Sequence, residues 1–497
     1  MPRRSVIWAR LRALSRRPAA RLTLGELLAE RGRRKPAMRH IAAAARAGFP
    51  PGQTRLGLCY LRGHGVPASL TEACYWLEQA ANAGDASAQT ELATLALGGV
   101  HGPFQRAVFD PRRDDRHQPD YHRAASLARR AADAGSAQAK ALLALILRAA
   151  PSTMGARDDP ERLYQESSEA GWPAGQLGHA MTLLTRGSDE ATREASGLLS
   201  SAADSGLPTA HFLLGVLEEA GAGIAQDLAA ALAHYRFAAE QGHTGAKMRL
   251  GLALLAGRGG PRNLAEAETW LRRAANDGEA QAAAVLGDFY TNPERSPPDL
   301  GEAARWYRRA ADLGHPGAAR VLAHTIAVGA TGVPDPNEIA AWLEIAIERG
   351  EPAAWPELGG LIASLALPAD QLPALHEWLQ RMIREEHPDA GYYVGVCVNN
   401  GIGTPVDARL ARRYYLWAAG EGVIEAMVAA GEMLLNGRGG RADPVLARAL
   451  FEYAAKRDHE GAIYALGVMA GEDRDGAMRH FRRAAGLGHA KSREMVA

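Results

Sequence analysis

A period of 36 residues constrains this chain more than any other feature of its sequence. Leu-Gly or Leu-Ala pairs recur at Leu214-Gly215, Leu250-Gly251, Leu286-Gly287, Leu322-Ala323 and Leu358-Gly359. Tryptophan recurs at Trp270, Trp306, Trp342 and Trp378, and alanine pairs begin at Ala238, Ala274 and Ala310, with Ala346-Ile347 next. Ladders that share one step mean a stack of similar units. Each unit is too small to bury its apolar face alone and must be covered by its neighbours.

One period separates into parts. An apolar-periodic stretch such as TGAKMRLGLALLA (Thr244–Ala256) predicts a first helix, with the small residue at Gly251 admitting a close neighbour. A glycine-rich turn follows, and then a polar residue suited to capping: Asp227, Asn263, Asp299, Asp335, Asp407 and Asp443 are separated by multiples of 36. The second helix comes next, as in Leu264–Gly278, with Trp270 and Ala274 on its buried face. A glycine then ends it in a left-handed cap, at Gly206, Gly242, Gly278, Gly314 and Gly350, with equivalents at Gly48, Gly84, Gly135, Gly171, Gly422 and Gly488.

The glycine-rich turn invites comparison with a phosphate-binding loop. AGRGG (Ala256–Gly260) returns as NGRGG (Asn436–Gly440) 180 residues later, and a helix rather than a strand precedes each copy. A recurring turn after a helix is a connector, not a nucleotide site.

The fold class expected is all-α, an α-α superhelix (solenoid) of about twelve helix-turn-helix repeats. Hydrophobic residues make up 47% of the 497, so a large core is available, and the low aromatic share of 6% suits thin, closely packed helices. The expected organisation is a basic N-terminal segment and capping helix over 1–35, a repeat solenoid over 36–490 and a short C-terminal cap over 491–497. A loop insertion at 99–120 lengthens one spacing from 36 to 51 residues inside the second unit.

The segment AKMRLGLALLAGRGGPRNLAEAETWLRRAANDG (Ala246–Gly278) resembles the Sel-one-like repeat, a relative of the tetratricopeptide repeat. LGLCYLRGHGVPASLTEACYWLEQAANAG (Leu56–Gly84) and WYRRAADLGHPGAARVLA (Trp306–Ala323) are the best matches to it. Ala353–Pro388 departs from the pattern by lacking the glycine turn and the final glycine, and Gly178–Gly206 by lacking the aromatics. The resemblance implies a superhelix whose first helices line a concave surface, and adaptor or scaffold work of the kind seen in bacterial signalling, polysaccharide regulation, polar organisation and protein quality control. Some bacterial members carry a disulfide in every repeat; the three cysteines here, Cys59, Cys74 and Cys397, cannot pair completely and read as reduced thiols.

Placing each first helix on the tetratricopeptide register puts Asp288, Arg320, His324, Tyr392, Asn399, Asn400, Glu425 and Glu432 on the concave ladder, where polar groups can hold a partner backbone. Nearer the middle, Leu252 and Leu255 make the same ladder apolar. In the insertion, Phe104 and Phe109 are the expected contact residues. Its His101, Asp110, Asp114, Asp115, His117, Asp120 and His122 suggest a metal or acid-base site, but a long polar loop gives catalysis no rigid support.

Charge is uneven. Residues 1–40 hold twelve arginines or lysines against Glu26 and Glu30, while the remaining chain is acidic overall. Ile7, Leu11 and Leu14 share one helical face beside Trp8, with Arg12 among the surrounding arginines. Such a segment suits an anionic membrane surface or an acidic protein patch. Thr23 and Glu26 suggest a capping box for a following helix whose Leu24, Leu27 and Leu28 seal the first unit.

The function expected is a non-catalytic protein-protein scaffold in the cytoplasm, peripheral to the inner face of the membrane if the basic segment anchors it. Its partners are one or more proteins, without cofactor, metal or small-molecule substrate. The array's acidic balance argues against an RNA-binding helical array, because a nucleic-acid groove is basic. The sixteen histidines are scattered, and those at 243, 315 and 489 belong to Gly-His junctions rather than to a catalytic constellation.

Overall fold

A computed structural model describes residues 17–98, 119–151, 158–292, 298–329, 332–363, 372–471 and 473–496. Among them lie 27 helices and no strand, in the α-α solenoid class. The helices follow one another as antiparallel pairs of a first and a second helix, ending with Ala490–Val496. The chain divides into two compact bodies, Met1–Arg273 and Ala274–Ala497.

Close approach within each pair depends on the small residue of the Leu-Gly step. A Cβ on Gly251 would stand 2.6 Å from Leu271 Cγ, and one on Gly287 would stand 2.3 Å from Tyr307 Cε1. The second helix then presses its large side chain directly onto first-helix backbone. Flanking alanines such as Ala274, Ala310 and Ala418 are fully buried, so the core is thin and built from short contacts.

The capping ladder forms as the spacing predicts. Asp227 and Asp407 each accept from two backbone amides, and Asp299, Asp335 and Asp443 accept from one, at 2.9–3.0 Å. Asn263 accepts from Glu266 N at 3.2 Å. The junction glycines, including Gly242, Gly278 and Gly422, are all left-handed. After four of these glycines the next residue is a second cap, at Asp85, Ser136, His243 and His489. His243 Nδ1 accepts from Ala246 N at 3.1 Å, and Asp85, Ser136 and His489 hold the next first helix in the same way.

Two expectations need correction. Thr23 does not cap a helix: it lies inside Pro18–Glu30, where its hydroxyl donates to Ala19 O at 3.1 Å. Pro18 at the first turn starts the helix instead, because its missing N–H costs nothing there. This helix also does more than seal an end. It pairs with Arg34–Arg46 as first helix to second, burying Leu22, Leu24 and Leu28, and a Cβ on Gly25 would stand 2.7 Å from Ile41 Cγ1. Among the described residues helix pairing is therefore already present at Pro18, upstream of residue 36.

The divergent unit keeps its geometry without the usual glycine. Glu386 occupies the left-handed position at φ 63°, and Asp458 does the same one unit after Gly422, at φ 57°. Asp120, weighed above as a metal or acid-base candidate, is instead the cap of Tyr121–Asp133, accepting from Arg123 N at 2.9 Å. His122 beside it is exposed, and residues 101, 110, 114, 115 and 117 lie outside the described residues.

Candidate protein-binding surface

Each first helix spends one face on its partner helix and leaves another free. In Pro388–Asn400 the free stripe runs through Asp389, Tyr392, Val396 and Asn399, at steps of three and four residues around the buried Gly395. One period later the stripe of Ile424–Leu435 runs through Glu425, Val428, Glu432 and Leu435. Glu425 and Glu432 are exposed, as is Asn400 at the end of the preceding helix.

Tyr392 anchors this face. It is half-buried, packs edge-on against Tyr393 with ring centroids 5.0 Å apart, and lies 5.9 Å from the Tyr415 ring. Burial raises its hydroxyl pKa, and the carboxylates of Glu425 and then Glu432 raise it further. Asp389 is pushed up by burial first and by Glu425 second, with a hydrogen bond from its own backbone and then His387 acting the other way. These mutual effects place Asp389, Tyr392, Glu425 and Glu432 within electrostatic reach across two successive first helices. Asp389 was not singled out by sequence reading, although its 36-residue distance from Glu425 was the available signal.

The other ladder residues are placed differently. Asp288 is exposed but accepts from the Tyr307 hydroxyl at 2.8 Å, so it is partly committed inside its own unit. Arg320 reaches Glu357 at 2.9 Å and Glu351 at 3.7 Å, linking its helix to the following unit. His324 is exposed on the same helix. Asn399 donates to Asn400 Oδ1 at 3.1 Å. Trp8, Arg12, Phe104 and Phe109 lie outside the described residues.

In the N-terminal body the corresponding stripe is apolar. Phe212, Val216 and Leu255 are partly buried against one core cluster, Leu252 is half-buried, and Leu145 and Met181 are exposed. Beside it His211 Nδ1 and His234 Nδ1 share a hydrogen bond of 2.8 Å, and His234 Nε2 lies 3.5 Å from Glu218.

Among the described residues no group of three or more His, Cys, Asp or Glu has the arrangement of a metal site, and no helix is long and apolar enough to cross a membrane. Cys59, Cys74 and Cys397 are free and buried. Burial pushes the Cys397 thiol up to about 12, leaving it protonated and poorly nucleophilic near neutral pH.

The Sel1 repeat model matches residues 50–85, 114–136, 208–243, 245–279, 280–315, 388–423, 424–459 and 461–489, more than half of the chain. The chain belongs to the Sel1 repeat family. Sel1 repeats form a non-catalytic scaffold fold and, with their tetratricopeptide-like relatives, generally mediate protein-protein interactions.

One solved SLR structure shares this fold over most of its length. The chain is 21% identical to a protective antigen present in uropathogenic Escherichia coli strains that displays an SLR fold, covering 92% of each chain with a TM-score of 0.50. A Sel1 repeat protein from Oxalobacter formigenes is 24% identical over 64% of this chain and 95% of its own, with a TM-score of 0.44. A putative Sel1 repeat protein from Klebsiella pneumoniae is 25% identical over 41% of this chain and 99% of its own, with a TM-score of 0.29. No curated protein matches the chain.

Proposed function

We propose that this Sel1 repeat protein is an adaptor that binds a protein partner on the first-helix face of its C-terminal body and performs no catalysis of its own. The supporting observation is the stripe of Asp389, Tyr392, Asn399, Asn400, Glu425 and Glu432, which combines an aromatic anchor with hydrogen-bonding groups on neighbouring helices. Tyrosine suits such a face because it gives large contact area at low entropic cost and keeps a polar tip. Asp288 and His324 extend the same ladder toward earlier repeats, while Arg320 holds the repeats in register. The free thiols favour a reducing compartment, hence work in the cytoplasm.

The test is crosslinking and capture of the full-length protein from its native lysate, beside a form lacking residues 1–16 and a Tyr392→Ala form. Membrane and soluble fractions are analysed separately. The adaptor reading predicts one partner retained by the truncated form and lost by Tyr392→Ala. Loss of the partner only on truncation, together with departure from the membrane fraction, would move the binding role to the basic segment. Recovery of RNA without a stable protein would overturn the reading.

A further inference from the structure

Several acidic side chains of the C-terminal body have a cationic neighbour. Glu338 pairs with Arg308, Glu348 with Arg381, Glu351 and Glu357 with Arg320, and Asp458 with Arg483. Asp389, Glu425 and Glu432 make no ion pair among the described residues, and they share one face. Burial and then Glu425 raise the pKa of Asp389, so the folded face holds these two carboxylates within reach of one another. A second observation on this face concerns Asn399, one helical heptad beyond Tyr392. Its side-chain oxygen is shielded from solvent and accepts no hydrogen bond, although its amide nitrogen is used by Asn400. The face therefore offers carboxylates that no described cation pairs with, a half-buried aromatic ring and an idle acceptor.

We infer that the face of Asp389, Tyr392, Asn399, Glu425 and Glu432 seats an arginine-bearing basic segment of the partner protein. This deepens the adaptor reading and rests on it. A guanidinium supplies several donors in a planar fork that satisfies carboxylates in pairs and stacks on an aromatic ring. Arginine on Tyr392 with its fork toward Glu425 or Glu432 uses ring and charge together, and a flanking donor reaches Asn399. Complementarity of this kind chiefly sets the rate of encounter and the choice of partner.

The experiment measures binding of a fluorescent peptide of alternating arginine and alanine to the full-length protein, by anisotropy at low and physiological salt. The comparison is with an Asp389→Asn, Glu425→Gln, Glu432→Gln protein and with a control carrying Glu421→Gln, Glu452→Gln and Asp475→Asn, which removes the same number of carboxylates elsewhere. Saturable binding that weakens with salt is expected, at least tenfold weaker in the face variant and nearly unchanged in the control. The face variant should also melt no lower than the parent, because neutralisation removes repulsion, and this separates lost binding from lost folding. Equal binding by parent and face variant, equal loss in both variants, or equal binding of a glutamate-alanine peptide would overturn the inference. If a natural partner is captured through Tyr392 but is indifferent to the three neutralisations, this inference fails while the adaptor reading stands.

Discussion

The Tyr307 hydroxyl donates to Asp288 Oδ1 at 2.8 Å, joining the second helix of a repeat to its first. The ring lies over Gly287, where no Cβ intervenes, so the hydrogen bond and the close backbone approach depend on each other. Tyr307→Phe should keep the ring packing and lose the bond, costing about 1 kcal/mol in a denaturant titration. Partner capture should be unchanged, since this side chain works within the repeat. A cost near zero would mean that Asp288 is free to serve the ladder.

The connecting turn makes a sharper prediction. Gly259 is left-handed at φ 74°, and a Cβ there would stand 2.0 Å from the Leu228 carbonyl oxygen, the first residue of the preceding second helix. Gly278 is also left-handed, at φ 97°, but faces open space. Gly278→Ala should therefore cost only the backbone term, about 1 kcal/mol. Gly259→Ala adds a clash with fixed backbone and should cost about 3 kcal/mol or more. Equal melting shifts for the two variants would contradict this account of the turn as an inter-repeat contact.

Glu386 holds a left-handed conformation that an L side chain adopts at a cost. Glu386→Gly should raise stability by about 1 kcal/mol, the reverse of the usual effect of placing glycine in a helical protein. The check is the midpoint of chemical denaturation, with Glu385→Gly as the control expected to lower it.

The histidine pair carries a pH dependence. Burial lowers the pKa of His211, helped by the neighbouring His234, and burial alone lowers that of His234 from the ordinary 6.5. The unfolded chain then takes up protons that the folded pair resists. Their contribution is present above about pH 6.5 and is lost progressively as pH falls below it. Asp204 beside His211 opposes the shift, and Glu218, raised by burial and then by Asp227, gains folded stability on protonation and offsets part of the loss at lower pH. His234→Gln should flatten the fall in denaturation midpoint between about pH 7 and pH 5.5. An unchanged slope would remove the pair from the account.

The repeat period, the caps and the turn glycines were legible because each follows from local backbone chemistry recurring at a fixed step. The pairing of Pro18–Glu30 was hidden because this helix carries neither the glycine turn nor the tryptophan, and its Gly25 contact with Ile41 reveals the pattern. Thr23 misled because a Ser/Thr-x-x-Glu pattern inside a helix is identical in sequence to a capping box, while the proline that starts the helix lies five residues earlier. On the candidate surface the ladder register selects Tyr392, Glu425 and Glu432 as candidates. It did not reveal that Arg320 and Asp288 already have partners, since those contacts join different helices, nor that Asp389 belongs with Glu425.

The most direct measurement places a photo-crosslinking amino acid at Asn400, exposed at the end of the first-helix stripe, and in a second protein at Arg305, exposed on a second helix. Both are irradiated in living cells and the adducts identified by mass spectrometry. The account predicts one protein adduct from Asn400 and none of that protein from Arg305. The same adduct from both positions, or from Arg305 alone, would contradict binding on the first-helix face.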